Sequence, residues 1–226
     1  MRRGADELPV RTRVLFAAVV LAAAAAGVAS ASIRPVRPAD EVLLKRAPTK
    51  EEQVAEQVAA RLTRRHVAIR CGALGVPGAG WPDGIAGITL FVDSRPAGYA
   101  VLLPQVCAQL YAFRLDPHAW DPSACTSEDN CLKVSEAAFA LATVTHESYH
   151  LLGYRNEAQV ECYGMQSIWY AATKLGASAA EGQRLARFYA TALYPQRRTE
   201  TPAYWSAQCR DGGKYDLRPG SHAWPS

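Results

Sequence analysis

The strongest constraint on the fold is a pair of long helical patterns, over residues 135–152 and 156–175, that only a few residues separate. The first residue of each pattern, Ser or Asn, is a suitable N-cap, and Gln159 follows the second one by three positions, as in a capping box. Gly153 can end the first helix in a left-handed conformation. Because a connection this short produces two antiparallel helices, we expect the core to form around this helical hairpin.

Side chains that suit a metal ion lie on both arms of the helical hairpin. His146 and His150 are four residues apart, so both project from one helix face. Glu157 and Glu161 begin the second helix, and the antiparallel arrangement carries Glu161 back toward His146. A catalytic zinc ion takes three protein ligands, such as neutral imidazole and carboxylate, and one water. The sequence therefore predicts a zinc site of His146, His150 and a glutamate, with Glu147 as the general base on the zinc-bound water.

The same segment resembles the zincin metallopeptidases. "HESYH", residues 146–150, matches HExxH at every fixed position, and "NEAQVE", residues 156–161, resembles the thermolysin-type second motif NEAxxD. The resemblance implies that Glu157 is the third ligand and that Glu161 hydrogen-bonds His146, which is the gluzincin arrangement. The residues by themselves leave either glutamate as the third ligand, and we favour Glu157.

Two features depart from that family pattern. Only six residues, 151–156, separate His150 from Glu157, whereas gluzincins usually insert more. The run "HESYHLLGYRN" also resembles the metzincin pattern HExxHxxGxxH, with Gly153 in register but with Asn156 in place of the third histidine. Since asparagine is a poor zinc ligand, the glutamates are the better candidates.

The wider chain suggests a functional class and one alternative to it. Roughly residues 70–226 are similar to little-characterised exported bacterial proteins, which share HExxH, the NEA…EC segment and a tail like "CRDGGKYDLRP". This resemblance supports export and a zincin-like core but supplies no known substrate. The predicted site and the zincin resemblance imply zinc-dependent hydrolysis of peptide bonds outside the cytoplasm, in an unidentified peptide or protein substrate. The alternative is a non-catalytic exported or envelope protein whose metal site and disulfides are structural. An open cleft around Glu147 would favour the enzyme, and a packed helix bundle would favour the alternative.

Other patterns are weaker or exclude functions. The Lys and Arg residues are scattered, which disfavours nucleic-acid binding, and the glycines of the loop over residues 72–84 lack a nucleotide-binding spacing. No Gly-x-Ser-x-Gly elbow is present. Tyr163 is the best candidate near the motif for stabilising an oxyanion, although packing is the more common role of such a tyrosine. The other side chains that we weighed and expect to be exposed or packed are His66, His118, His222, Tyr149, Tyr154, Trp169 and Tyr170.

The first 31 residues carry an export signal. Four arginines surround its start, and "VLFAAVVLAAAAAGVA", residues 14–29, is an uncharged, mostly apolar run before a small-residue cleavage site at residues 29–31. Extended to residue 33, the run reaches the roughly 20 residues of a membrane span, so membrane anchoring through residues 14–33 stays open. Both interpretations place the rest of the chain outside the cytoplasm, either secreted or anchored at the outer face of the membrane.

Six cysteines agree with export, because an even number in an exported chain predicts disulfides. Cys125 and Cys131 flank a short polar loop and are the expected local pair. No CxxC spacing occurs, so a metal site made of cysteines is disfavoured.

These patterns predict an α+β fold that is mainly α-helical. A zincin-like helix pair would carry HExxH beside a small antiparallel sheet, stapled by disulfides. We divide the chain into the signal or anchor over residues 1–31, a Pro- and Arg-rich linker over residues 32–48, and a metallopeptidase domain over residues 49–226. Within the domain we expect further helices over residues 49–65, from Pro104 onward, and over residues 178–193. Strands are expected over residues 66–71, from residue 85 and from residue 98, with a turn at "SRPAG", residues 94–98.

Overall fold

The computed structural model describes residue 33 and residues 35–72, 85–221 and 223–225. The export stretch, most of the loop predicted over residues 72–84, and His222 lie outside these residues. No helix within the described ranges is long and apolar enough to cross a membrane. The anchor expected over residues 14–33 falls outside them, apart from Ile33.

Helices dominate the described part of the chain, and they surround a small sheet. The helices are α1 (Pro38–Lys45), α2 (Lys50–Thr63), α3 (Pro104–Leu115), α4 (Glu128–Leu151), α5 (Glu157–Gln166), α6 (Ile168–Lys174), α7 (Ala179–Phe188) and α8 (Arg197–Glu200). The strands are β1 (Ala68–Cys71), β2 (Gly87–Val92) and β3 (Arg95–Leu102). A π-helical turn follows α7, and short 3-10 turns connect several of the other elements. The prediction of a mainly helical fold with a small sheet is therefore confirmed.

The sheet is mixed, which corrects the prediction of an antiparallel sheet. Its order is β1-β3-β2, where β2 and β3 form an antiparallel hairpin and β1 pairs with β3 in parallel. Alternation of apolar residues predicts a strand but carries no information about its direction. The hairpin turn lies at Asp93 and Ser94, both with positive φ, so the residues predicted as a turn after Ser94 belong to β3.

Helix α4 runs through the middle of the core and starts earlier than predicted. Its N-cap is Ser127, whose side chain accepts a hydrogen bond from the Asn130 backbone. Ser135, the expected cap, lies inside the helix, where its hydroxyl donates to the Cys131 carbonyl at 2.8 Å. The acidic first turn of α4 favours the earlier start, because carboxylates stabilise a helix N-terminus.

The segment predicted as a linker instead contains α1, which is bound to the sheet. Asp40 is buried, and it accepts hydrogen bonds from Arg37 and from the hydroxyl of Tyr99 in β3. Arg70 in β1 donates to the carbonyl of Leu43 at 2.9 Å. Composition suggested a linker because prolines and arginines dominate the stretch, but these long-range contacts fix it.

Three disulfides stabilise the domain, one local and two between distant parts of the chain. The pair Cys125–Cys131 was predicted and is confirmed, and the structure adds Cys71–Cys107 and Cys162–Cys209. The last bridge ties the loop-rich tail to α5. Disulfides of this number indicate an oxidising compartment outside the cytoplasm.

Candidate metal centre

The helical hairpin forms as the sequence predicts. Five residues connect α4 to α5, and Gly153 adopts a left-handed conformation with φ of 102°. Asn156 caps α5 by accepting a hydrogen bond from the Gln159 backbone at 2.9 Å. The reciprocal half of the capping box is replaced, because the Gln159 amide donates to the hydroxyl of Tyr163. The short turn therefore brings the first turn of α5 next to the last turn of α4.

Close packing of the two helices sets the position of His146. Gly164 of α5 lies so near α4 that a Cβ there would stand 3.0 Å from the His146 backbone nitrogen. At the same contact, the hydroxyl of Thr145 donates to the Gly164 carbonyl at 2.9 Å. The absent side chain allows the backbones to approach, and the buried hydrogen bond fixes their register.

His146, His150 and Glu157 converge at one point. The Nε2 atoms of the two histidines lie 3.0 Å apart, and each lies 3.2 Å from Oε2 of Glu157. Ligand atoms held about 2.0–2.1 Å from a tetrahedral zinc ion would lie roughly 3.3 Å from one another. The triangle of donor atoms therefore has the size that a small tetrahedral ion requires, and this group could hold a metal ion.

Hydrogen bonds orient both imidazoles. Nδ1 of His146 lies 2.9 Å from Oε2 of Glu161, and Nδ1 of His150 lies 2.8 Å from the Tyr154 carbonyl oxygen. Each acceptor holds a ring proton on Nδ1, so Nε2 is the nitrogen of each ring that is left to bind a metal ion. The two glutamates thus stand on opposite sides of His146: Glu157 faces the cleft with a side chain 38% exposed, and Glu161 is buried behind the ring.

The electrostatics of the group favour positive charge. Burial by itself lowers the pKa of His146, but hydrogen bonds with Glu157 and Glu161 outweigh it and raise that pKa to about 10. Burial raises the pKa of Glu157, and hydrogen bonds from His146 and His150 overcome this effect and bring it to about 2. A cluster that stabilises a proton on imidazole and a charge on carboxylate also attracts a divalent cation.

Glu161 belongs to a second, buried network. Its Oε1 accepts hydrogen bonds from the hydroxyl of Tyr189 and, at 3.2 Å, from Nε of Arg197. Burial opposes ionisation of Glu161, but His146, Arg197 and Tyr189 together lower its pKa. The carboxylate is thus held as an anion behind His146 by residues that follow it by 28 and 36 positions.

Glu147 lies beside the converging side chains and packs against strand β2. Its Oε2 accepts a hydrogen bond of 2.7 Å from the hydroxyl of Thr89, and a Cβ at Gly87 would stand 2.7 Å from Oε1. Burial raises the pKa of Glu147, while the nearby His146 and His150 and the Thr89 hydroxyl lower it in part. A raised pKa brings a carboxylate closer to the range in which it exchanges protons with water near neutral pH.

A cleft opens in front of these side chains. A cavity of about 280 Å³ is lined by Glu147, the three converging residues and strand β2. Tyr204, from a 3-10 turn in the tail, forms the opposite wall, with its ring centroid 5.5 Å from that of His146. Arg155 lies at the same cavity and stacks over Phe91 at 4.9 Å.

Sequence analysis missed the residues of this wall. Tyr163, a candidate for oxyanion stabilisation for which packing is the more common role, packs against Tyr149, Tyr154 and Tyr215 and is absent from the cavity lining. Tyr204, by contrast, lines the cavity beside His146. No local motif marks Tyr204, because only the fold brings it near His146.

The remaining candidates lie away from the centre. His118 is exposed and bonds Glu181 at 2.8 Å, and His66 is exposed near β1. Trp169 and Tyr170 pack against each other in α6, with ring centroids 6.0 Å apart. These placements agree with the structural roles expected for them.

Comparisons of the chain with protein-family models, with curated proteins and with solved structures gave no match. Its function therefore has to be inferred from the geometry and chemistry of the site.

Proposed function

We propose that the protein is an extracytoplasmic zinc metallopeptidase of the zincin type, with His146, His150 and Glu157 as metal ligands. The observation that carries this proposal is the placement of the Glu147 carboxylate in the same cleft as the converging donor atoms. Two imidazole nitrogens and one carboxylate are a typical ligand set of catalytic zinc, with a fourth position left for water or substrate. The three disulfides support an oxidising compartment outside the cytoplasm, which agrees with the predicted export signal.

Bound zinc would act as a Lewis acid that polarises the scissile carbonyl and lowers the pKa of nearby water. Glu147 then acts as the general base. Thr89 holds Oε2, which leaves Oε1 to accept a proton from the attacking water. The water oxygen bonds to the carbonyl carbon, the C–N bond breaks, and the proton on Glu147 passes to the leaving amine. The second proton of the water leaves the new carboxyl group and protonates the amine, so the products are a carboxylate and an ammonium group, and Glu147 returns to its ionised form.

Tyr204 is the residue that we assign to the developing negative charge on the carbonyl oxygen. Burial and the nearby carboxylates Glu157, Glu147 and Glu161 raise its pKa to about 12, so its hydroxyl keeps its proton at neutral pH. A protonated hydroxyl in a cleft can donate a hydrogen bond to an oxyanion.

Glu161 and Arg197 have a supporting role in this proposal. Glu161 holds the tautomer of His146 through Nδ1, and Arg197 keeps Glu161 ionised. Such a partner raises the basicity of a metal-binding histidine and fixes its ring. The ionised Glu161 thereby strengthens metal binding without contacting the ion.

The substitution Glu147→Gln tests the proposal. Gln keeps the size of the side chain and removes the base, so zinc content should stay near one ion per chain while peptide hydrolysis falls about 10²–10⁴-fold. Elemental analysis measures the first quantity, and cleavage of a general peptide library measures the second. The double substitution His146→Ala/His150→Ala serves as the metal-free control.

Three outcomes would contradict the proposal in different ways. If the His146→Ala/His150→Ala protein kept all of its metal, the metal would not bind at these residues and the assigned site would be wrong. If Glu147→Gln hydrolysed peptides as fast as the parent, Glu147 would not be the general base and the proposed mechanism would be wrong. A parent protein that holds its metal tightly, loses stability without it and cleaves no peptide would favour the alternative, a structural metal in a non-catalytic envelope protein.

A further inference from the structure

A second cavity lies along the cleft, beyond the catalytic residues, and it has a distinct chemistry. It has a volume of about 260 Å³ and is formed between α4, the π-helical turn after α7 and α8. That volume corresponds to roughly nine water molecules at about 30 Å³ each, enough for one long side chain. We call it the acid-rimmed pocket, and it is lined by Ser135, Glu136, Phe139, Tyr189, Leu193, Gln196, Arg197 and Glu200.

The acid-rimmed pocket adjoins the catalytic centre. A narrow cavity of about 30 Å³ beside His146 and Glu147 shares Phe139, Tyr189 and Arg197 with it. Phe139 precedes His146 by seven residues on α4, a distance of roughly 10 Å along the helix axis. An extended polypeptide covers that distance in about three residues. A substrate bound at the catalytic centre can therefore place a side chain in the pocket from within about three positions of the scissile bond.

The pocket is apolar at its base and negative at its rim. Phe139, Tyr189 and Leu193 provide the apolar surface, while Glu136 and Glu200 are both exposed. Gln109 donates a hydrogen bond to Glu136 at 2.8 Å. Within the described ranges, neither carboxylate forms a salt bridge with a basic residue.

The one cation in the lining does not cancel this charge. The guanidinium of Arg197 bonds Glu161 at 3.2 Å and the hydroxyl of Tyr189 at 3.3 Å. It also lies over the ring of Phe139 at 5.5 Å. Arg197 is thus already neutralised by a buried carboxylate, and the rim keeps a net negative charge.

We infer that the acid-rimmed pocket selects substrates with a lysine or arginine within about three residues of the scissile bond. Such a side chain has an apolar stem for Phe139 and Leu193 and a cationic end for Glu136 and Glu200. A neutral apolar side chain would leave the rim unused, and an acidic one would be repelled. This inference rests on the proposed function, because it assumes that the cleft binds a polypeptide.

Peptide binding to the catalytically inactive Glu147→Gln protein tests the inference without requiring turnover. The probes are dye-labelled peptides that differ by one residue, Lys, Gln or Glu, in an otherwise neutral sequence, and the readout is fluorescence anisotropy. Exposed ion pairs are individually weak, so two of them should favour Lys over Gln about five- to tenfold in Kd. The preference should shrink at high salt, which screens exposed charges.

Substitutions at the rim give the deciding result. Adding Glu136→Gln and Glu200→Gln should abolish the Lys preference, and Glu136→Lys with Glu200→Lys should reverse it toward Glu. Glu128→Gln, which removes one exposed charge from the start of α4, outside the pocket, is the matched control and should leave the preference intact. Equal binding of Lys and Gln peptides, or an undiminished preference after both rim substitutions, would overturn the inference.

Cleavage by the parent protein separates this inference from the proposed function. If the protein bound Lys peptides preferentially but cleaved none, the inference about the pocket would stand and the proposed peptidase activity would be wrong. If it cleaved peptides without a preference for Lys, the peptidase activity would stand and the inference about the pocket would be wrong. Where cleavage occurs, the rim substitutions should raise KM for Lys peptides and leave kcat unchanged, because an exposed pair binds the substrate and the transition state equally.

Discussion

The helical hairpin and the wall that faces it differ in how far apart their site residues lie in the sequence. His146 and Glu161 are only 15 positions apart, and the three side chains that we propose as metal ligands belong to α4 and α5. Across the cleft, Thr89 reaches Glu147 over 58 positions, and Tyr204 comes from the tail. The metal-binding group therefore depends on local helix geometry, whereas the surroundings of the base depend on the whole fold. Changes in the hairpin should remove metal, and changes in the wall should alter rate with the metal retained.

The largest expected effect is the loss of metal from Glu157→Ala. This substitution removes the only carboxylate oxygen that lies 3.2 Å from both histidine Nε2 atoms in the described structure. Glu161→Ala leaves that oxygen in place and removes only the support behind His146, so it should weaken metal affinity about 10–100-fold. Competition with a chelator of known zinc affinity measures both.

Similar metal affinities for Glu157→Ala and Glu161→Ala would contradict the assignment of Glu157 as the ligand and Glu161 as the residue that only supports His146. A weaker affinity for Glu161→Ala would reverse the assignment and show that the thermolysin-type analogy is misleading here.

The disulfides provide the second largest effect and link the two regions. Cys162–Cys209 closes a separation of 47 residues between α5 and the tail that carries Tyr204. Loss of this bridge should destabilise the protein by about 4 kcal/mol on the loop-entropy account, against about 2 kcal/mol for the six-residue separation of Cys125–Cys131. Urea unfolding of the Cys162→Ala/Cys209→Ala and Cys125→Ser/Cys131→Ser proteins compares them.

Peptide hydrolysis by the same two double-substitution proteins provides a second comparison. Removal of the bridge to the tail should lower peptide hydrolysis, because it frees the segment that places Tyr204, whereas removal of the local bridge should not. If both double substitutions cost equal stability and leave hydrolysis unchanged, the tail is held by its other contacts, such as the two hydrogen bonds between Gln166 and the backbone of Tyr215 and Leu217.

The same difference between local and distant contacts explains what the sequence could predict. Histidines four apart, a capping Asn156 and a left-handed Gly153 are local signals, and the hairpin formed as they indicated. The parallel pairing of β1 with β3 depends on strand direction, and the packing of α1 through Asp40 depends on a contact across 59 positions. No local sequence pattern encodes either feature. For the same reason the sequence pointed to Tyr163, beside the motif, whereas the tyrosine that lines the cleft, and to which we assign the oxyanion, is Tyr204.

Tyr204→Phe should reduce hydrolysis with no effect on metal content. The substitution keeps the ring beside His146 and removes the hydroxyl that we assign to the oxyanion. Loss of one such donor typically costs about 10²-fold or more in kcat. Steady-state kinetics and elemental analysis measure the two quantities, and Tyr163→Phe is the control from the tyrosine cluster outside the cleft. An unchanged kcat would exclude Tyr204 from the reaction, and a loss of metal would place it in the binding group instead.

The smallest expected effect tests the contact between β2 and the base. Thr89→Val keeps the shape of the side chain but removes the hydroxyl that donates to Oε2 of Glu147. Burial raises the pKa of Glu147, and the Thr89 hydroxyl is one of the groups that counter this rise, so its loss should raise that pKa further. The base works only in its ionised form, and a higher pKa therefore moves the acid limb of kcat/KM to higher pH. Hydrolysis should fall by up to about tenfold on the acid side, in keeping with the strength of one hydrogen bond, and should recover as the pH rises.

Thr89→Ser retains the donor and should keep the parent profile. Superimposable profiles for Val and Thr would mean that β2 only packs against Glu147, and a shift to lower pH would contradict the assigned direction of the hydrogen bond's effect.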